Sequence, residues 1–315
     1  MELIYRAFGL TIGSELFLPG LPTTHGTPDI QITRGVVPEW DGEATIRYGD
    51  RCRIRGQEWY VRFKALPFAG LIRDGNLVRF EADPARDDVS SLHVLGSCTG
   101  ALLFQRGLAP LHGNTVVGPQ GAVTIAGKIG AGKSATTFAL LRRGYRLLAD
   151  DISAVSFEST ELVIKPGFPR LKLWKATLEH FGCDHRAFHR LRPGLDKFHY
   201  PVEDLFCPEP RKLNAIYILH PCDSPGVRIR VLSGLAKLDA LRAHLYKIRF
   251  HDAVRNWPPL LGKLCRLADA VRVNLVERPR EGGTIEAVAD AIEQDLSFNA
   301  EAHRPGGSRN AASVA

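Results

Sequence analysis

Apolar and polar positions alternate along much of the first ninety residues. Three segments combine this period of two with β-branched and aromatic residues, and they are DIQITRG (29–35), RCRIRGQEWYVRFK (51–64) and GLIRDGNLVRFEAD (70–83). A period of two is typical of strands with one buried face, so this part of the chain is predicted to be β-rich. In the third segment, Asp74-Gly75-Asn76 separates two apolar runs and predicts a hairpin, because glycine accepts the positive φ of a tight turn.

The N-terminal part, residues 1–95, contains neither an acid–base pair nor a nucleotide motif. Two interpretations are open for it: a domain that positions a substrate, or a layer of strands that only supports the fold. We predict a β-rich, substrate-positioning domain.

After a charged, turn-rich stretch at 83–91, the pattern changes to alternating strands and helices. SLHVLGSCTGALLFQRG (91–107) is predicted to form a helix that ends at Gly107. From Leu111 the order is strand, strand, glycine-rich loop, helix and strand, which is typical of an α/β domain. Weaker patterns predict strands at 213–219, 227–232 and 271–276. They also predict helices at 235–246 and 284–296. We therefore predict an α/β domain over 96–298, and a disordered tail over 299–315, where little apolar surface can be buried.

Composition narrows the class of protein. The 315 residues are 44% hydrophobic and 24% charged, with no apolar run near the length of a membrane span. Glu2 stands where a signal peptide would be basic, so we expect a cytoplasmic protein. The six cysteines are scattered without a CxxC pair, which argues against a zinc site. The net charge of +7 is spread along the chain, and we expect neither nucleic acid nor a membrane as partner.

The segment GKIGAGKS (127–134) matches the pattern G-x-x-x-x-G-K-S/T without deviation. The apolar run AVTIA precedes it and SATTFALLRR follows with helical periodicity, so the loop joins a predicted strand to a predicted helix. Its glycines allow successive backbone N–H groups to point inward as an anion-binding nest. Lys133 would bind the β- and γ-phosphates, and the Ser134 hydroxyl would bind Mg²⁺. The predicted nucleotide site comprises Gly127, Lys128, Ile129, Gly130, Ala131, Gly132, Lys133, Ser134 and Ala135.

Two adjacent carboxylates follow this loop. YRLLADD (145–151) predicts a strand that ends in Asp150 and Asp151, 16 and 17 residues after Ser134. An ABC-type ATPase would carry its carboxylates far downstream of a signature loop, and the GTPase motifs DxxG and NKxD are absent. The carboxylates are therefore predicted to lie beside the γ-phosphate, one holding Mg²⁺ and the other accepting the proton of an attacking hydroxyl.

LHGNTV (111–116), GKIGAGKS and RGYRLLADD (143–151) together resemble the catalytic domain of the HPr kinase/phosphorylase family. Those proteins are serine kinases built on a P-loop of the phosphoenolpyruvate-carboxykinase type. The resemblance implies Lys133 and Ser134 for phosphate and Mg²⁺ and Asp151 as the base for the acceptor serine, which leaves Asp150 as the carboxylate on Mg²⁺. It places His112, which lies 22 residues before Ser134, near the transferring phosphoryl group. The resemblance covers residues 109–157, about a sixth of the chain.

The segment VIKPGFPRLKLWKATLEHFG (163–182) departs from that family. It lacks the family's glutamate ligand of a second Mg²⁺ and carries Arg170 and Lys172 instead, and no phosphorylase segment is recognisable. We therefore expect a kinase only. Arg170, Lys172 and Lys197 would stabilise the transferring phosphoryl group, or would form a solvated basic face.

Three further segments resemble the branch of HPr kinase-like proteins that phosphorylates lasso precursor peptides at a C-terminal serine. They are YRAFGLTIGSELFLPGLP (5–22), PGFPRLKLW (166–174) and DKFHYPV (196–202). The resemblance implies an ATP- and Mg²⁺-dependent serine kinase that acts on a precursor peptide and forms a homo-oligomer as HPr kinases do. A kinase of an HPr-like carrier, a small-molecule kinase and a nucleotide-sensing regulator without phosphotransfer remain as alternatives.

Overall fold

The computed structural model of the chain describes residues 2–39, 46–48, 52–63, 67–246, 258–280 and 282–302. Nineteen strands and seven α-helices lie in these ranges. Among the helices so described, none is both long and apolar enough to cross a bilayer.

The N-terminal part forms a mixed sheet of eight strands, in the order β1-β2-β3-β8-β7-β6-β5-β4. Their bounds are Leu3–Ala7, Leu10–Ser14, Ile30–Arg34, Ile46–Tyr48, Cys52–Arg55, Glu58–Phe63, Phe68–Arg73 and Leu77–Ala82 for β1 to β8. The β2–β3 and β3–β8 pairs are parallel and the others antiparallel. The predicted hairpin is confirmed, since Asp74 and Gly75 connect β7 to β8 with φ of 54° and 67°.

A helical connection follows the sheet. It consists of α1 (Asp87–His93), a π-helical turn (Val94–Cys98) and α2 (Thr99–Gln105). The helix predicted over 91–107 is confirmed but begins four residues earlier, and Gly107 ends it with φ of 79°. Phe104 stacks on Trp59 of β6 with ring centroids 6.2 Å apart, so α2 packs against the first sheet.

The second sheet contains the glycine-rich loop. Its strands are β9 (Ala109–Gly118), β10 (Gly121–Gly127), β11 (Arg146–Ala149), β12 (Ile152–Ser156), β13 (Val163–Lys165), β17 (Arg211–Cys222), β18 (Arg228–Val231) and β19 (Arg272–Pro279). β10 and β19 both lie parallel to β17, so the carboxyl ends of these three strands meet at one edge. Ligands of α/β proteins bind at such an edge.

A third sheet of three strands and the remaining helices complete the chain. The strands are β14 (Arg170–Trp174), β15 (Arg190–Arg192) and β16 (Leu195–Pro201), and the helices are α3 (Lys133–Arg142), α4 (Lys175–His180), α5 (Gly234–Ala243), α6 (Pro258–Ala270) and α7 (Ile285–Ala302). The five weakly predicted elements correspond to β17, β18, β19, α5 and α7. Because α7 runs to Ala302, the disorder expected over 299–302 is wrong, and residues 303–315 lie outside the described part.

Two hydrophobic clusters hold these layers together. One joins Phe80 of the first sheet to Phe104 of α2 and to Leu148 and Val273 of the second sheet. The other packs α3 and α7 against the opposite face of the second sheet and against the third sheet. The chain is therefore a mixed α/β protein. The boundary predicted at residue 95 falls inside the helical connection, and the core is continuous across it.

Candidate active site

The glycine-rich loop lies between the end of β10 at Gly127 and the start of α3 at Lys133. Gly127, Gly130 and Gly132 have φ of 146°, 82° and 102°, which L side chains rarely adopt. A Cβ on Gly127 would lie 3.0 Å from both the Ala131 Cβ and the Leu219 carbonyl oxygen. The turn thus needs glycine for conformation and for space. A cradle with this backbone, opening on a helix N-terminus, fits a polyphosphate.

Lys133 is held across this loop. Its Nζ donates hydrogen bonds to the carbonyl oxygens of Gly127 at 2.8 Å and of Lys128 at 3.2 Å. Burial lowers the pKa of Lys133, and the charge of Asp151 opposes that shift. Ser134 and Ala135 occupy the first turn of α3, and Ile129 is 91% exposed at the tip of the loop. The loop therefore presents one cation that Asp151 helps to keep charged.

Asp150 and Asp151 lie where the chain passes from β11 to β12. Both strands pair with β9, and the two residues between them leave the ladder. Asp151 has φ of 68°, and its N–H donates to the Asn114 side-chain oxygen at 3.1 Å instead of to a strand. A non-glycine residue in this conformation is strained and points to a functional constraint. At this bend both carboxylates contact Lys172 of β14.

The Asp151 carboxylate contacts three side chains. Lys172 Nζ donates to Oδ2 at 2.9 Å, His112 Nδ1 lies 3.3 Å from Oδ1, and the Tyr246 hydroxyl is hydrogen-bonded to the same carboxylate. Burial by itself would raise the pKa of Asp151, but Lys172 and His112 hold it well below its usual range. Asp151 is therefore ionised at neutral pH and its carboxylate is fixed in orientation.

Asp150 has a different environment. It is buried, and its Oδ2 accepts a hydrogen bond from the Lys172 backbone N–H at 3.2 Å, with Lys172 Nζ 3.8 Å away. Burial raises the pKa of Asp150, and the positive charge of Lys172 limits the rise. Two neighbouring carboxylates thus have pKa values shifted in opposite directions, which is a pattern of active sites.

The third sheet faces these carboxylates with basic side chains. Lys172 on β14 lies opposite His199 on β16, and Trp174 lies opposite Lys197. Lys197 Nζ is 5.6 Å from the centre of the Trp174 ring. Burial lowers the pKa of Lys197, and burial together with neighbouring cations lowers that of His199 to about 3. This strand pair brings positive charge to Asp150 and Asp151 and to the glycine-rich loop.

Arg170 is buried beside these carboxylates, whose charges oppose the lowering of its pKa. It is 5% exposed, so it does not belong to a solvated basic face. Its Nη1 donates to the Pro19 carbonyl oxygen at 2.6 Å, and its guanidinium lies 5.0 Å from the centre of the Phe168 ring. Burial lowers its pKa to about 10. The hydrogen bond of Arg170 to Pro19 therefore connects β14 to the segment that follows β2.

The residues of the candidate site include oxygen donors that could bind Mg²⁺. The Ser134 hydroxyl and the Asp150 carboxylate are of the type that Mg²⁺ prefers, and Mg²⁺ commonly completes its shell with substrate phosphates and water. Within the described ranges, no group of three His, Cys, Asp or Glu side chains is arranged to hold a metal ion. The donor set thus fits a metal that enters together with a triphosphate.

Two contacts of Asp151 were missed by sequence reasoning. Asn114 lies inside the motif LHGNTV, two positions after His112 on the same face of β9, so its place could have been inferred. Tyr246 carried no signal, because it lies far along the chain. The residues after α5 extend beside β9, where Tyr246 N–H donates to Pro110 O and His112 N–H donates to His244 O, both at 2.7 Å. This pairing places the Tyr246 ring edge-on to His112, at 5.6 Å between centroids.

Replacing Lys172 by methionine is expected to lower the free energy of unfolding by about 3 kcal/mol, because two carboxylates then lose their shared counter-ion. The difference in free energy of unfolding between this variant and the unchanged chain should become smaller as the pH falls, because a protonated carboxyl group needs no counter-ion. Urea unfolding at several pH values measures both effects. Lys175→Met is the matched control, since Lys175 pairs with Glu179 at the surface. A loss below about 1 kcal/mol at neutral pH would contradict the buried ion-pair role.

No family model matches the chain, and no curated protein matches it. Among solved structures it is similar to the HPr(Ser) kinase/phosphatase from Coxiella burnetii, at 15% sequence identity and a TM-score of 0.33. The superposition covers 61% of this chain and 98% of that one. A likeness of this extent does not define a shared fold. In the site itself, a glycine-rich loop, its lysine and a carboxylate pair fixed by Lys172 lie at one edge of a mixed α/β protein.

Proposed function

We propose that the chain is an ATP-dependent serine kinase that transfers the γ-phosphoryl group to a serine hydroxyl of a peptide or small protein. One observation carries the proposal. Ala126 of β10, next to the start of the glycine-rich loop, pairs with Gly113 of β9, and the neighbours of Gly113 on β9, His112 and Asn114, both contact Asp151. The loop and a fixed, ionised carboxylate therefore belong to one site, and a phosphate cradle next to a proton acceptor is what phosphoryl transfer to an alcohol requires.

In this proposal, the backbone N–H groups of the loop and Lys133 bind the triphosphate. Ser134 and Asp150 would hold Mg²⁺, which supplies positive charge to the phosphate oxygens when bound. Positioning and charge neutralisation account for most of the catalysis of phosphoryl transfer. These groups need only hold the γ-phosphorus in line with the acceptor oxygen.

Asp151 acts as the general base. The serine oxygen forms a bond to the γ-phosphorus, the bond from that phosphorus to the bridging oxygen breaks, and ADP leaves. The serine proton passes to the Asp151 carboxylate, which His112, Lys172 and Tyr246 hold in place. Lys172 and Lys197 offset the negative charge around the transferring group. The low pKa of Asp151 keeps the carboxylate ionised at neutral pH, so that it is in the form that accepts a proton.

The acceptor that we propose is the C-terminal serine of a ribosomally made precursor peptide of the lasso type. Support comes from the resemblance of residues 5–22, 166–174 and 196–202 to kinases of that branch. Two of these segments meet at the site, because Arg170 donates to the carbonyl oxygen of Pro19. An HPr-like carrier protein is the alternative acceptor.

A second candidate function is nucleotide sensing without phosphotransfer. The contact of 2.9 Å between Lys172 Nζ and Asp151 favours it, since a carboxylate so neutralised is a weak base. The two functions differ in what becomes of the γ-phosphate.

The test uses ATP radiolabelled at the γ-phosphate, Mg²⁺ and the full chain. Three acceptors are compared: a precursor peptide that ends in serine, the same peptide that ends in alanine, and an HPr-like carrier. We expect label only on the peptide with serine, with a mass increase of one phosphate at its last residue. ATP hydrolysis that labels none of them would contradict the kinase and favour the sensor. Label on the carrier alone would move the acceptor to that class.

A further inference from the structure

Arg278 lies at the carboxyl end of β19, beside the glycine-rich loop. β19 runs parallel to β17, with Arg278 opposite Pro221, and β17 runs parallel to β10, with Leu219 opposite Gly127. These registers bring Arg278 to the edge where β10 enters the loop. No sequence motif marked this residue, because it lies far downstream of the loop.

The guanidinium of Arg278 is fixed by three hydrogen bonds. Nε donates to the Ala131 carbonyl oxygen at 3.1 Å, and Nη1 donates to the Pro279 carbonyl oxygen at 2.8 Å and to the Thr284 hydroxyl at 3.2 Å. Nη2 lies 3.5 Å from the position that a Cβ on Gly132 would take. The Arg278 guanidinium therefore lies over the glycine that immediately precedes α3, and three of its five N–H groups are used.

Arg278 has no acidic partner within 4 Å in the part of the chain that the structure describes, although its side chain is partly buried. Two other arginines have such partners: Arg143, which follows α3, pairs with three carboxylates of α7, and Arg280 pairs with Asp223. Burial lowers the pKa of Arg278 without an opposing carboxylate. A rigid, partly buried guanidinium of this kind favours an anionic ligand over a partner within the protein.

We infer that Arg278 binds the α- and β-phosphates of the nucleotide through Nη2, as a second cation beside Lys133. This inference rests on the proposed nucleotide site. The choice of phosphates follows from position. β19, which carries Arg278, reaches β10 and the loop across β17, whereas β11 and β12, which flank Asp150 and Asp151, reach β10 across β9 on its other side. Arg278 is thus on the side of the loop away from the carboxylates where the γ-phosphoryl group would react.

The experiment measures the Kd of ATP and of ADP by calorimetry for the full chain and for Arg278→Gln. We expect both Kd values to rise by the same factor, about 10- to 100-fold, because a charge-assisted hydrogen bond to each nucleotide is lost. Arg280→Ala removes the same charge from the same loop, and its Kd values should stay within about twofold of the unchanged chain. Thr284→Val, which removes one anchor of the guanidinium, should weaken both nucleotides by a smaller factor.

Kd values that change by less than about twofold in Arg278→Gln would overturn the inference. A weaker affinity for ATP with an unchanged affinity for ADP would overturn it as well, because Arg278 would then contact the γ-phosphate. If Arg278→Gln does not fold, Arg278→Lys takes its place. The lysine ammonium cannot donate to the Ala131 carbonyl oxygen and to a phosphate at the same time, as a guanidinium can. We therefore expect the Kd values of ATP and ADP to rise at least about threefold in Arg278→Lys. Unchanged Kd values would overturn the inference. Full affinity in Lys133→Ala would instead show that the nucleotide site itself is wrong.

Discussion

Asp151→Asn is expected to reduce phosphoryl transfer by about 10²- to 10⁴-fold while the Kd of ATP changes by less than about threefold. Asparagine is close to aspartate in size, so the contacts with His112 and Lys172 keep their spacing. Its amide oxygen, however, does not accept a proton from an alcohol. The rate of label transfer to the peptide in single-turnover experiments, together with calorimetric ATP binding, separates the two quantities.

The control for this variant is Asp184→Asn, which removes a carboxylate that pairs with Arg186 at the surface. It should transfer phosphate at the rate of the unchanged chain. Transfer by Asp151→Asn within about tenfold of that rate would exclude Asp151 as the general base. Loss of ATP binding in the same variant would instead assign Asp151 a structural role in the loop.

Removal of the Lys133 ammonium is expected to raise the Kd of ATP by about 100-fold, or ~2.7 kcal/mol. The reason is that Lys133 donates charge-assisted hydrogen bonds, which contribute more than those of the neutral backbone N–H groups of the loop. Lys133→Ala is measured by calorimetry with ATP and Mg²⁺. Transfer at saturating ATP should fall as well, because the lysine also offsets charge on the γ-phosphate.

Arg142→Ala is the matched control, because it removes one positive charge from the other end of the same helix, at an exposed position. Its ATP affinity should match that of the unchanged chain. Equal affinities in Lys133→Ala and in the unchanged chain would mean that the loop at 127–134 does not bind nucleotide. Every proposal made for this site would then fail with it.

Local elements of the chain followed from local patterns. The turn at Asp74-Gly75 and the helix end at Gly107 depend on residues within a few positions of each other, where glycine relieves the clash of a Cβ. The strand before Gly127 and the helix after Gly132 were likewise visible in a short window. Boundaries were less accurate: α1 begins within the stretch interpreted as a linker, and α7 runs six residues further than its pattern indicated.

Contacts between distant segments did not follow from such patterns. Lys172 was expected either to stabilise the transferring phosphoryl group or to lie on a solvated basic face, and only the tertiary structure shows its ammonium 2.9 Å from Asp151. Arg170 carried the same expectation, and its burial, with a hydrogen bond to the Pro19 carbonyl oxygen, excludes only the solvated basic face. Both side chains are long cations. Their different partners therefore follow from the tertiary packing around each one.

The amino-acid sequence by itself determined the glycine-rich loop, the two carboxylates that follow it and the alternation of strands and helices around them. These features depend on backbone freedom, periodicity and spacing, which are properties of short segments. Tertiary structure alone decided that Tyr246 contacts Asp151, that Arg278 lies over Gly132, and that one core joins the N-terminal sheet to the site. Those contacts arise when strands distant in sequence pair and bury a common surface, and the free energy of that burial is shared among residues that no local pattern connects.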